Sequence, residues 1–414
     1  MVAQHRRLHH AVMEEIVQDS TARPSGGYTD TIVVQGDRAL QVKRCTLRRI
    51  HMPLRTPTRT SYGVHTSRDV IIVELETVHG AIGVSECVAM REPTYTEETV
   101  FTAWHILQDF LVGRLRDKVF ETPADLRDFS DGLLAVRGNA MARASLEMAV
   151  WDAFAAETQT PIHLLLGGQE REIPVGISLG MESSIGRLQE RALQAAEDGY
   201  RRIKVKVSPG EDLLPLRAIR SLLPDMPLMA DANSAYRTAD EAVWAELDEL
   251  SLMMIEQPLA HDDLVDHAAL QRRLRTPLCL DESIRSADDV RRAAVLGACR
   301  IINLKPGRVG GFEQSRRAHD FAVHYGLGLW CGGMYETGIG RLHNIALCSL
   351  PGFDMPTDVG PSERYFVEDV VNPPVTFSRP GHLRVEELHG VASRVNWTLL
   401  DRYTIDSETI HFRH

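Results

Sequence analysis

From about Leu40 the chain alternates apolar and polar residues in the two-residue period of strands that bury one face. The runs LQVKRCTLRRIHMPL and SRDVIIVELETVHGAIGVSECV predict an antiparallel meander turning at His79-Gly80. Between them RTPTRTSYGVHTS reads as a polar loop carrying Tyr62 and Gly63; AMREPTYTEETV, after them, reads as a second loop. Thr96, Glu98 and Thr99 supply N-terminal capping chemistry for a helix beginning near Val100. Three helical stretches come next. The last, GNAMARASLEMAVWDAFAAET, sets Ala144, Met148, Trp151 and Ala155 at helical spacing along one apolar face. PIHLLLGG then closes an α+β unit over residues 40–168.

From Ile173 the rhythm becomes short apolar runs separated by amphipathic ones. IPVGISLG, YRRIKVKV, MPLMADAN, LMMIEQPL, TPLCLDES, CRIINLKP and GLGLWCGG predict seven strands buried on both faces. Segments such as SSIGRLQERALQAAEDGY and SADDVRRAAVLGA supply the helices between them. MPTDVG, residues 355–360, is the candidate eighth strand. The pattern predicts a parallel α/β barrel over residues 169–362, with the α+β unit as a second domain. The tail, 363–414, has strand-like pieces (PPVTFS, HLRVEEL) and WTLLDRYTIDSETIHF, and is expected to pack back on the first domain. Residues 1–39 read as a short helix and a flexible link. There His5, His9 and His10 fit a solvated arm or a subunit contact better than a metal site.

At 414 residues the chain exceeds one ordinary core, in keeping with two domains. Its net charge of −11 leaves no basic surplus for phosphate, which argues against a nucleic-acid partner. No apolar run reaches membrane-spanning length, and the N-terminus lacks the apolar core of a secretory signal, so a cytoplasmic location is expected. The six cysteines form no CxxC pair and read as buried free thiols.

The chemistry concentrates at strand ends. Asp231, Glu256 and Asp281 end three consecutive runs at intervals of 25 residues. Neighbouring barrel strands end at one rim, so the three carboxylates converge where such barrels place their chemistry. Their mutual repulsion calls for a cation, and hard oxygen ligands suit Mg²⁺, with Mn²⁺ able to replace it. Lys204 and Lys206 flank Val205 on the second strand, so both point to the inward face. Lys305 ends the sixth strand, across the barrel. Two ammonium groups on opposite sides of one bound carboxylate form a geometry for acid–base work on both faces of a carbon.

These stretches resemble the enolase superfamily, specifically its muconate-lactonising-type subgroup. The matching residues are KVK (Lys204, Lys206), DANSAY (Asp231, Asn233), EQP (Glu256), DES (Asp281, Glu282) and LKPGRVGG (Lys305). WCGGMYETGIGR, RTSYG and ECVAMREPTY are similar to the o-succinylbenzoate synthase and N-succinylamino acid racemase family. The resemblance implies a (β/α)₇β barrel, capped by an α+β domain built from both chain ends, with Mg²⁺ on Asp231, Glu256 and Asp281. It makes Lys206 the base that takes the proton α to a carboxylate. Lys204, the metal and partial burial would all favour its uncharged form. Lys305 would act from the opposite face. Asn233 would hydrogen-bond near the metal, and Ser178, Gly333 and Met334 would line the succinyl end. Tyr62, Gly63 and residues 90–95 would form a lid. Glu282 and Glu336 would stand one layer behind, Glu336 alternatively capping the next helix, while Glu86 reads as structural. Family members are often homo-oligomers. Dipeptide epimerisation, muconate cycloisomerisation and a catalytically silent binding barrel are the competing readings. The first would be expected to carry a DxD on the eighth strand, where this chain has Thr357-Asp358-Val359-Gly360.

Overall fold

The computed structural model describes residues 32, 34–60, 63–180, 182–238 and 240–413. His5, His9, His10 and Tyr62 lie outside them. In the capping domain β1 (Leu40–Thr60), β2 (Gly63–Thr77) and β3 (Ile82–Cys87) form the expected antiparallel meander, and β4 (Val119–Phe120) pairs with the start of β1. The run RTPTRTSYGVHTS, expected as a polar loop, falls largely within β1 and β2: Thr58, Arg59 and Thr60 lie opposite His65, Val64 and Gly63. Threonine and valine favour extended backbone even where the surroundings are polar.

The helix Ala140–Glu157 departs from its sequence pattern in another way. It is buried on nearly every side, not along one face, because it lies between β2 and β3 and the barrel helices Pro306–Val309 and Phe312–His324. Gly83 permits the close approach: a Cβ there would sit 2.3 Å from the Ala153 backbone nitrogen. The capping residues also divide their labour. Thr99 forms a capping box with Thr102 on the helix Val100–Ile106, while Glu98 accepts from Met141 N (2.9 Å) and Ala142 N (3.2 Å) at the start of Ala140–Glu157.

The barrel run IPVGISLG splits in two. β5 (Glu172–Pro174) leaves the ring, and β6 (Ile177–Leu179) begins it. β7 (Ile203–Lys206), β8 (Leu228–Asp231), β9 (Met254–Glu256), β10 (Leu278–Leu280), β11 (Ile301–Leu304) and β12 (Gly328–Cys331) follow in parallel and in chain order. The candidate eighth strand contributes a single bridge. Thr357 exchanges hydrogen bonds with Pro174 O and Gly176 N (2.9 and 2.7 Å) on one side, and Asp358 N reaches Cys331 O (3.0 Å) on the other. MPTDVG therefore joins the first barrel strand to the seventh. Inside the ring Met229, Met254, Cys279, Ile301 and Trp330 form a separate buried layer from five successive strands. All six cysteines are buried free thiols.

The tail adds one strand to each of two sheets. β13 (His382–Arg384) pairs antiparallel with β5, and β14 (Thr404–His411) pairs antiparallel with β1 to extend the capping sheet. PPVTFS forms no strand; its two prolines have no N–H to donate to a ladder. Among the described residues, no helix is long and apolar enough to cross a membrane.

Candidate active site

β7 to β11 end at one rim, and their terminal side chains meet there. Asp231 and Glu256 sit opposite each other across the β8–β9 pair, and Lys206 sits opposite Asp231 across β7–β8. All three acids are buried. Each is held by cations of the chain. Lys206 Nζ lies 2.6 Å from Asp231 Oδ2 and 2.5 Å from Asn233 Oδ1. Lys204 Nζ lies 3.2 Å from Asp231, 3.1 Å from Glu256 and 2.7 Å from Asp358. Asp281 is paired with Lys305 at 2.8 Å and with Arg308. As placed, no three His, Cys, Asp or Glu side chains among the described residues are grouped so that they could hold a metal ion.

The acids nevertheless share one field. Burial, then the charges of Asp231 and Asp281, push Glu256 up to about 8. Burial pushes Asp231 up as well, but Lys206 and Lys204 outweigh it and hold its carboxyl below the usual range. For Asp281, Lys305 and Arg308 outweigh burial in the same direction. Glu282, buried beside Asp281 and Asp231, is pushed up to about 7 and accepts from Asn233 Nδ2 at 2.9 Å. Lys204 and Lys305 are both raised well above the ordinary lysine value, since their carboxylate neighbours outweigh the cost of burial.

The backbone here is strained. Asn233, Ser234, Gln257 and Tyr335 all adopt positive φ at or just beyond strand ends. Gln257, fully buried, accepts from Asp281 N (3.0 Å) and Ser283 N (3.2 Å) and donates to Ser283 Oγ (2.8 Å), tying the β9 and β10 ends together. These contacts fix the rim before any ligand arrives.

A cavity of about 100 Å³ opens at this rim, lined among others by Lys206, Asp231, Asn233, Asp281 and Lys305. Ser178, Gly333 and Met334 line it as well. From the 90–95 stretch, Met90, Thr94 and Tyr95 reach it. Glu336 stands behind, accepting from Met334 N (2.8 Å) and Asn344 Nδ2 (2.9 Å), so it braces the turn after β12. Glu86 binds the start of the helix Gly338–Leu347 through Thr337 and Gly340.

Asn303 and Arg308 carry no site role in the sequence reading, Tyr95 falls only in the 90–95 lid stretch, and Asp358 only on the eighth strand. Asn303 donates to Glu256 Oε1 at 2.7 Å; it precedes Lys305 by two positions on one strand, and the alternation of side chains could have found it. Arg308 follows Lys305 on the helix Pro306–Val309, one turn on. Asp358 bridges Lys204 and Arg202, the latter at 2.5 Å. The Tyr95 hydroxyl lies 3.0 Å from Lys305 Nζ, and no spacing in the sequence links the two.

A capped barrel with facing lysines and clustered carboxylates at its C-terminal rim defines an enzyme of the enolase superfamily. The chain belongs to the mandelate racemase/muconate lactonizing enzyme family: the N-terminal domain model matches residues 44–167 and the enolase C-terminal domain-like model residues 187–398. It is 46% identical over 373 residues to an o-succinylbenzoate synthase of Geobacillus kaustophilus, covering 90% of this chain and 98% of that protein. It is 42% identical over 369 residues to an N-succinylamino acid racemase of Thermus thermophilus, covering 88% and 98%. A solved structure described as a probable mandelate racemase from Alicyclobacillus acidocaldarius superposes with a TM-score of 0.85 at 43% identity, covering 90% of this chain and 98% of that one.

Proposed function

We propose that this chain removes the proton α to a carboxylate and directs the resulting enediolate either to o-succinylbenzoate, by loss of a β-hydroxyl, or to a racemised N-succinylamino acid. The observation that carries this reading is the placement of Lys206 and Lys305 on one cavity, from ring strands four positions apart, with the carboxylates between them. Relatives with both names span nearly the whole chain.

Asp231, Glu256 and Asp281 would hold Mg²⁺, or Mn²⁺ in its place. The donor set fits in its chemistry: three buried carboxylates from neighbouring strand ends offer hard oxygens, and burial, then Asp231 and Asp281, raise the Glu256 carboxyl. Bound there, the cation supplies Lewis acidity for charge developing on the substrate carboxylate.

Lys206, as an amine, takes the α-proton. In dehydration it returns that proton to the departing hydroxyl on the same face, and Lys305 contributes positive charge from the other. In racemisation Lys305 delivers a proton to the opposite face. Asn233 holds Lys206 through its carbonyl and Glu282 through its amide, fixing the approach of the base. Both oxygens of Asp358 are committed to Arg202 and Lys204, and Pro356 and Gly360, two positions to either side, supply no second acid to grip a peptide amine. This weighs against dipeptide epimerisation.

The test is ¹H NMR in D₂O with an N-succinylamino acid and, in parallel, the cyclohexadiene precursor of o-succinylbenzoate. Wild-type protein is expected to exchange the α-proton of the first and consume the second. Lys206→Ala is expected to lose both, and wild-type rates in that variant would remove Lys206 from the role of base.

A further inference from the structure

An ammonium on a four-carbon stem has no fixed direction until acceptors hold it. Among the described residues Lys305 has two hydrogen-bond acceptors: Asp281 Oδ2 at 2.8 Å, from the barrel, and the Tyr95 hydroxyl at 3.0 Å, from the capping domain. The Tyr95 ring also lies 4.9 Å from Nζ. Two of the three tetrahedral N–H directions are thereby taken, leaving one for the cavity that Lys305 lines. The hydroxyl is itself fully used. It accepts from Lys305 and from Arg308 Nη1 (2.8 Å) and donates to Asp281 Oδ1 (3.3 Å), which exhausts one proton and two lone pairs.

The loop that carries it is pinned at both ends. Buried Arg68 donates to Val88 O (2.5 Å) and Ala89 O (2.9 Å), and Glu98 is bound to Met141 N and Ala142 N. A phenol anchored in this way is a fixed reference point for the lysine beside it.

We propose that Tyr95 is a positioning residue that aims Lys305 at one face of the substrate carbon, and that it matters more for two-face proton transfer than for dehydration. The inference rests on the reaction proposed above. In dehydration Lys206 both takes and returns the proton, and Lys305 acts through its charge, an interaction that varies slowly with distance. In racemisation Lys305 must bring an N–H to a carbon at about 3–3.5 Å, where small misplacement is costly. The electron pair of the enediolate C=C bond then forms the new C–H bond with that proton. Lys305 is left as a neutral amine and Lys206 keeps the proton it abstracted; exchange with solvent resets both.

Tyr95→Phe keeps the ring and deletes the oxygen. The metal-loaded full-length variant is compared with wild type in D₂O, each enantiomer of one N-succinylamino acid being followed separately, alongside dehydration of the cyclohexadiene substrate. The expected result is a loss of about tenfold or more in α-proton exchange for one enantiomer, with the other enantiomer and dehydration within about threefold. Equal losses for both enantiomers, or none, would overturn the proposal. A second readout needs neither metal nor activity: ¹H–¹⁵N spectra of the lysine ammonium groups. The Lys305 signal is expected to shift and to exchange faster with water in Tyr95→Phe, with the Lys204 signal unmoved; an unchanged Lys305 signal would also overturn it. If the wild-type protein neither exchanges nor dehydrates, the reaction assignment fails, and the ammonium spectra still decide whether Tyr95 holds Lys305.

Discussion

Gly332 shows how closely single residues are fitted at the rim. A Cβ there would lie 2.5 Å from Lys305 Cε and 2.3 Å from Asn303 Oδ1, so the lysine stem passes through space that only glycine leaves. Gly332→Ala is expected to displace Lys305 and lower kcat about a hundredfold, the scale on which roughly 1 Å of misplacement acts. Steady-state kinetics check this, with circular dichroism confirming the fold. At this scale the sequence was legible where chemistry obliges a residue type: the three acids and the three lysines all reach one rim. It was silent where the partner comes from far along the chain. Tyr95 and Lys305 are 210 positions apart, and only the docking of cap on barrel joins them.

Among the elements, helices of the interface begin against buried carboxylates. Glu86, on β3, accepts from Thr337 N (3.0 Å) and Gly340 N (3.2 Å) at the start of Gly338–Leu347. Glu147 accepts from Phe312 N (2.7 Å) and Glu313 N (2.9 Å) at the start of Phe312–His324. Helix N-termini present unpaired N–H groups and positive partial charge, which is why acids dock there. Burial nevertheless dominates, and both carboxyls are pushed up to about 7. The folded state therefore binds these protons more tightly than the unfolded chain does. Their contribution is full below the unfolded value near 4.5 and is lost as pH rises through about 7. Glu86→Gln is expected to flatten the fall in stability between about pH 4.5 and pH 7, by up to roughly 3 kcal/mol. Urea titrations of wild type and variant across that range measure it, and parallel curves would contradict it. From the sequence Glu86 reads as a non-core acid on a strand with a structural role; it is instead buried, because the helix it binds, 251 residues away, covers it.

For the molecule as a whole, the alternation of short apolar runs and amphipathic segments announced the barrel, and the two-residue period announced the meander. What stayed hidden was set by tertiary packing. Ala140–Glu157 looks one-faced yet is enclosed between domains, and IPVGISLG looks like one strand yet divides between β5 and β6. A barrel kept only for binding or shape is distinguished from an enzyme by its response to metal. Mg²⁺ at a hundredfold excess over Kd is expected to stabilise the native protein by about 2.7 kcal/mol. Glu256→Gln is expected to abolish most of that gain. A thermal-shift titration measures both, and an unmoved wild-type midpoint would count against the proposed ligand set.

The eighth position of the ring has a consequence of its own. Thr357 and Asp358 zip a cylinder shut with a handful of backbone bonds, and Asp358 rivets it to Arg202. Asp358, an acid that lines the cavity, is thus spent as a fastener and is unavailable as a grip. A descendant recruited to hold a cationic ligand there would first have to lengthen that seam, so the ring's economy at its weakest join restricts which chemistries the scaffold can reach next.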